Sequence, residues 1–210
     1  MLLERRYVLI TMSDNHKYAT YTTERYTAEL DAKTYIERFR RADYFLKLCQ
    51  QCGNYGRRYG CPPFDHDPLT VLQRYDRVQI IGVKVTPQDK TLPLSAAGDM
   101  IHPVTAALNE ELLEKEQSTD GMCFGFAGSC LYCGVAQCAR IEGKPCRHPD
   151  KVRPSLEAYG FDVSLTAKEL LGIEIKWSEQ GLLPEYLTLV GGVFYRQKIM
   201  RKNEKEISFL

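Results

Sequence analysis

The eight cysteines of this 210-residue chain are gathered rather than spread. Cys130, Cys133, Cys138 and Cys146 lie within seventeen residues, in the run Gly128-Ser129-Cys130-Leu131-Tyr132-Cys133-Gly134-Val135-Ala136-Gln137-Cys138, followed by Lys144-Pro145-Cys146. A second group lies upstream, as Cys49-Gln50-Gln51-Cys52 and then Cys61-Pro62-Pro63. Cys123 alone belongs to neither. A Cys-x2-Cys pair places two thiolates about one turn apart, where they can grip one metal ion or two corners of an iron-sulfur cube, and a later cysteine completes the cage. Two such pairs, each extended by further cysteines and set among glycines, point to metal.

The competing reading is a disulfide framework, which small secreted domains use because they bury too little core. The N-terminus does not read as a secretory signal: Glu4 precedes the basic pair Arg5-Arg6, and the apolar stretch from Tyr7 to Met12 is too short. A cytoplasmic location is therefore expected, where reducing conditions keep thiols free. With 44% hydrophobic and 26% charged residues the chain resembles an ordinary globular protein, so metal is not required to rescue a tiny core. No apolar run approaches the length of about 20 residues that spans a membrane. A net charge of +1 gives no pull toward nucleic acid or anionic lipid. The basic tail Arg196, Lys198, Arg201, Lys202 and Lys205, interrupted by Glu204 and Glu206, reads as a solvated terminus.

The pattern along the chain predicts an α+β fold: a single domain over residues 1–210 with a mixed, largely antiparallel sheet, flanking helices and two cysteine-rich metal-binding loops. Arg6 to Met12 and Tyr18 to Tyr26 flank the turn-forming run from Ser13 to Lys17 and predict a β-hairpin. Helical spacing predicts one helix from Ala32 to Leu48 that delivers Cys49 at its end. Gly53, Gly56 and Gly60 predict a flexible loop carrying Cys52, and Cys61-Pro62-Pro63 an extended exit. Val78 to Val85 reads as a central strand, Pro103 to Gln117 as a helix with Pro103 in its first turn, and Met122 to Phe126 as a short strand leading into the downstream cysteines. Short helices are expected from Pro154 and over Ser164 to Leu171, ended by Gly172. Closing strands are expected over Ile173 to Trp177 and Tyr186 to Tyr195, the second broken at Gly191-Gly192.

Ligand count does not separate zinc from iron-sulfur, but arrangement does favour one. Zinc ribbons pair two Cys-x2-Cys knuckles at one site, whereas each group here has one pair followed by single cysteines at unequal spacing, as in ferredoxins. Proline directly after Cys61 also ends its group in a ferredoxin-like way. Around the downstream group, small residues free backbone amides to approach sulfur, and Arg140, Lys144 and Arg147 outnumber Glu142, a field that suits an anionic cube. The expected cofactor is one or two [4Fe-4S] clusters, with zinc as the alternative. Cys130, Cys133, Cys138 and Cys146 would hold the first, and Cys49, Cys52 and Cys61 the second. The fourth upstream ligand stays open. Cys123 is the unassigned thiol and His66 the nearest histidine, although a lone histidine is more often a hydrogen-bonded surface residue. Glu157 and Asp162 could also be carried into a site, their ordinary readings being a helix-start acid and a cap. His148 could line the downstream site with the same discount as His66, and Tyr132 could shield a cube or simply pack.

Taken together, Cys49, Cys52, Tyr55, Gly56, Cys61-Pro62-Pro63, then Gly128-Ser129-Cys130, Cys133, Cys138 and Pro145-Cys146-Arg147-His148-Pro149, continuing through Pro154-Ser155-Leu156-Glu157-Ala158 and Gly160-Phe161-Asp162-Val163, resemble the predicted metal-binding proteins of domain-of-unknown-function family 2284. The resemblance runs from about Cys49 to the final strand and implies metal binding, in an iron-sulfur form, without supplying a substrate. Cys123 is not part of that pattern. The function expected is electron transfer or redox sensing with a redox partner protein. An open-coordination cluster at Cys49, Cys52 and Cys61 would shift the reading to an enzyme, and zinc would shift it to a binding module. The radical S-adenosylmethionine pattern Cys-x3-Cys-x2-Cys, Gly-x-Gly-x-x-Gly and Walker sequences do not occur in the chain.

Overall fold

The computed structural model describes residues 20–128, 130, 132–133 and 137–197, together with the backbone of 2–10. Five strands, β1 (Leu2–Ile10), β2 (Tyr21–Asp31), β3 (Arg77–Pro87), β4 (Met122–Phe124) and β5 (Leu187–Tyr195), form one sheet in the order β1-β2-β3-β5-β4, with every neighbouring pair antiparallel. The arrangement is α+β. The expected hairpin is present as β1 and β2, with β2 running on to Asp31; the turn from Ser13 to Lys17 lies outside the described residues. Strand β3 is buried on both faces, as its run of β-branched residues requires. Val78 and Ile80 enter one core and Ile81, Val83 and Val85 the other, following the two-residue alternation of a strand.

The first core lies under α1 (Ala32–Phe39), α5 (Val163–Thr166) and the π-helical turn Ala167–Leu171 that continues it to the left-handed Gly172, and it takes in Leu72 of the short helix α3 (Pro68–Leu72). Tyr35 stacks on Phe161 with ring centroids 4.7 Å apart, and both pack against Phe194 of β5. Full burial of such rings contributes about 1.5–3 kcal/mol each. The second core lies under α4 (Ala97–Thr119), through Met100, Val104, Leu108 and Leu112 at four-residue spacing. No helix among the described residues is long and apolar enough to cross a membrane.

Four local expectations change. The helix predicted over Ala32 to Leu48 is two helices, α1 and α2 (Ala42–Gln51), because Arg40 turns extended and pairs with Phe161 while the Arg41 amide donates to the Gly160 carbonyl at 2.7 Å. Tertiary pairing overrides helical propensity there. Helix α4 starts at Ala97 rather than Pro103, so the proline sits inside it and Ala107 faces outward. Ile173 to Trp177 forms no strand: Ile173 is buried in the first core, but the segment pairs with no neighbour in the sheet. Strand β5 is unbroken through its glycines, which instead permit close strand approach. A Cβ at Gly191 would stand 2.7 Å from the Phe124 carbonyl oxygen, and one at Gly192 2.5 Å from that of Gln79.

Candidate metal centre

All eight cysteines are free thiols. The upstream group begins on α2, where Cys49 sits in the last turn and Cys52 caps the helix, donating its amide to the Cys49 carbonyl at 3.0 Å. From there the chain folds back on itself in successive turns. Tyr55 N–H donates to the Cys52 carbonyl, Cys61 N–H to that of Arg58, and Gly56 N–H to that of Pro62. These bonds give the glycine-bearing loop a defined course. Gly56 is needed for its positive φ of 66°, and a Cβ at Gly60 would stand only 3.0 Å from the Arg153 carbonyl oxygen, so this glycine serves close packing.

The downstream group begins where β4 runs out. Gly125 donates its amide to the Pro154 carbonyl at 2.9 Å, and Cys130 follows. Cys138 is buried immediately before the 3-10 turn Ala139–Glu142. Sulfur atoms of this group accept hydrogen bonds: the His148 amide donates to Cys146 Sγ at 3.4 Å, and the Arg147 guanidinium to Cys133 Sγ at 3.7 Å. Donors aimed at sulfur suit thiolates, whether these bind metal or stand alone.

The two groups are tied together. Arg140, two residues past Cys138, donates one guanidinium nitrogen to the carbonyls of Arg58 and Cys61, both at 2.6 Å, and another to the carbonyl of Pro63. Tyr59 OH donates back to the Lys144 carbonyl. One cavity of about 470 Å³ is lined by Cys49, Cys52 and Cys61 from upstream and by Cys123 and Cys130 from downstream. Charge makes the same grouping visible. Burial pushes the Cys61 thiol up, as do the neighbouring thiolates of Cys52 and Cys49, against Arg140 and Arg58. Burial likewise raises Cys130, eased by the Tyr132 amide and reinforced by Cys133, Cys146 and Cys138. Mutual repulsion of this kind is relieved by a bound cationic centre.

Among the described residues no three His, Cys, Asp or Glu side chains stand close enough to hold one metal ion. A cube carries its thiolates on separate iron atoms and so takes ligands that stand wider apart than those of one tetrahedral ion.

The other candidates divide. His66 is engaged at both ring nitrogens, with Tyr159 OH at 2.7 Å and Asp65 at 2.9 Å, which accords with its ordinary reading. Asp162 is the N-cap of α5, accepting from the Leu165 amide at 2.9 Å. His148 meets the downstream group through its backbone, while its ring lies 6.0 Å from that of Tyr132, which lines the cavity. Cys123 is buried on β4, and burial together with the Glu116 carboxylate pushes its thiol far up. Glu157 stands at a helix start, as its ordinary reading has it, opening the 3-10 turn Glu157–Tyr159, but it also lines the cavity, and its Oε2 is buried with no hydrogen-bond partner.

A family model described as predicted metal-binding protein (DUF2284) matches residues 36–195. The chain belongs to this family. The DUF2284 span includes all eight cysteines, Glu157 and Arg140, and leaves out β1 and β2. No curated protein and no solved structure matches the chain. Sequence reasoning placed the cysteines into their groups but missed what joins them. Arg140 was legible only as one charge of a positive loop, and the cavity has no sequence signal at all.

Proposed function

We propose that this DUF2284 protein is a cytoplasmic, single-domain iron-sulfur protein that carries electrons or senses redox state. Cys130, Cys133, Cys138 and Cys146 would hold one [4Fe-4S] cluster and Cys49, Cys52 and Cys61 a second. The observation that carries this reading is that Cys49, Cys52 and Cys61 share one cavity with Cys130 of the downstream group, far away in sequence, and that Arg140 bridges the two segments. When bound, such clusters supply one-electron exchange. The chain's own residues do the rest. Arg140 fixes the backbone of Cys61 against the downstream turn. The His148 amide and the Arg147 guanidinium donate to sulfur, which stabilises added negative charge and raises a reduction potential. A redox partner protein would deliver or accept the electrons. Neither nucleic acid nor membrane is expected as a partner.

The cavity favours a second reading, an enzyme in which a small molecule reaches the three-thiolate upstream centre. Protein purified without oxygen tests the common premise. Iron with acid-labile sulfide, and an electron paramagnetic resonance signal on reduction, is the expected result. Stoichiometric zinc without sulfide would overturn it.

A further inference from the structure

We propose that Glu157 is the fourth ligand of the upstream centre, so that Cys49, Cys52 and Cys61 supply three thiolates and the Glu157 carboxylate binds the remaining iron. The proposal rests on the iron-sulfur reading above and adds an assignment that the cysteine pattern could not reach. Glu157 Oε2 is buried without any hydrogen-bond partner, an arrangement that is costly for a group that can carry charge. That orphan atom belongs to a residue lining the same cavity as the three upstream thiols. Helix α2, which carries Cys49, packs directly on the turn that begins with Glu157.

The turn is not free to carry Glu157 elsewhere. Gly160, with φ of 88°, sits so close to α2 that a Cβ would meet the Ala42 Cα at 2.7 Å. Tyr159 is buried, its ring 5.0 Å edge-on from that of Phe124, and its hydroxyl is paired with His66. The Arg40 guanidinium donates to the Tyr159 carbonyl at 2.9 Å. A carboxyl group held this rigidly on the cavity that the three thiols line, with one oxygen unspent, has the donor chemistry that an iron corner lacks.

The rival ligands are less suitable. His66 has both ring nitrogens engaged. Cys123 would ionise beside Glu116, whose carboxylate accepts the Cys123 amide at 2.7 Å and is already committed to Arg153. A carboxylate oxygen binds iron less softly than a thiolate, so the Glu157 corner would be the exchangeable one, and it faces the cavity.

The test is Mössbauer and electron paramagnetic resonance spectroscopy of full-length protein reconstituted anaerobically with iron-57 and sulfide, as parent, Glu157→Gln and Glu157→Cys. The parent should show one iron component distinct from the all-thiolate irons. Glu157→Gln should lose that component and, on oxidation, give the signal of a three-iron cluster. Glu157→Cys should keep the full iron content but make the distinct component thiolate-like, which also shows that the site tolerates substitution. If the parent holds clusters and both variants retain its distinct component unchanged, the ligand assignment is wrong while the iron-sulfur reading stands. A parent without iron-sulfur clusters would overturn both.

Discussion

The two cysteine loops are built by different means. The upstream loop is held by its own backbone: turn follows turn from Cys52 to Pro62, Gly60 packs against the Arg153 carbonyl, and Arg140 grips three of its carbonyls. The downstream loop has backbone turns of its own, with the Ile141 amide donating to the Cys138 carbonyl and the Lys144 amide to that of Ala139, and the contacts described at Cys133 and Cys146 run in addition to the sulfur atoms themselves, from Arg147 and from the His148 amide. A segment whose backbone groups satisfy one another keeps its shape when its ligand leaves, whereas contacts made to sulfur depend on what the sulfurs bind. Under the proposed function, the stability of the downstream group follows its metal more closely than that of the upstream group.

The largest expected effect follows from that difference. Cys133→Ser should lose the downstream metal and lower the melting temperature by about 10 °C or more, since binding there is coupled to folding. Removing bound metal from the parent with a chelator should give a similar loss by differential scanning calorimetry. An unchanged melting temperature in Cys133→Ser would break the comparison.

Arg140→Ala probes the link between the loops. It leaves three carbonyls of the upstream loop without their charged donor, which should cost roughly 2–3 kcal/mol in urea unfolding and reduce upstream metal content more than downstream. Equal loss from both groups would mean that Arg140 supports a single structural unit rather than the upstream loop alone.

The smallest effect concerns the backing shared by both loops. Glu116 on α4 pairs with Arg153, the residue whose carbonyl Gly60 packs against. Burial pushes the Glu116 carboxyl up, but the Arg153 guanidinium and the Cys123 amide outweigh it and hold the group below its ordinary value. A folded-state value below the unfolded one means that this pair stabilises the protein above the carboxyl's ordinary value of about 4.5 and is lost as pH falls through the depressed one. Glu116→Gln should cost roughly 1–2 kcal/mol at neutral pH and flatten the acid limb of a stability-versus-pH curve. A curve parallel to the parent's would remove Glu116 from the acid response.

How much of this was legible in the sequence follows from what each signal records. The β-branched run of Val78 to Val85 announces a central strand because both its faces are buried, and β3 is one. Seven of the eight cysteines announce metal because their spacing is local. Helical periodicity from Ala32 to Leu48 is genuine, yet it cannot register that Arg40 pairs with Phe161, more than a hundred residues away. Glycine told the least: Gly60 and Gly192 read as looseness or breakage, whereas both mark places where another backbone approaches too closely for a side chain. Glu157 and Asp162 carry the same kind of carboxylate five residues apart. Only packing distinguishes the cap, which satisfies the Leu165 amide, from the buried acid with an unspent oxygen.

Native mass spectrometry of anaerobically prepared parent and Cys61→Ser protein tests most directly whether the chain carries two separately held metal centres. The expected result is two clusters in the parent and one in Cys61→Ser, with the remaining cluster keeping its spectrum and the fold most of its stability. A parent with a single centre, or a Cys61→Ser protein that loses all metal and unfolds as readily as Cys133→Ser, would contradict it.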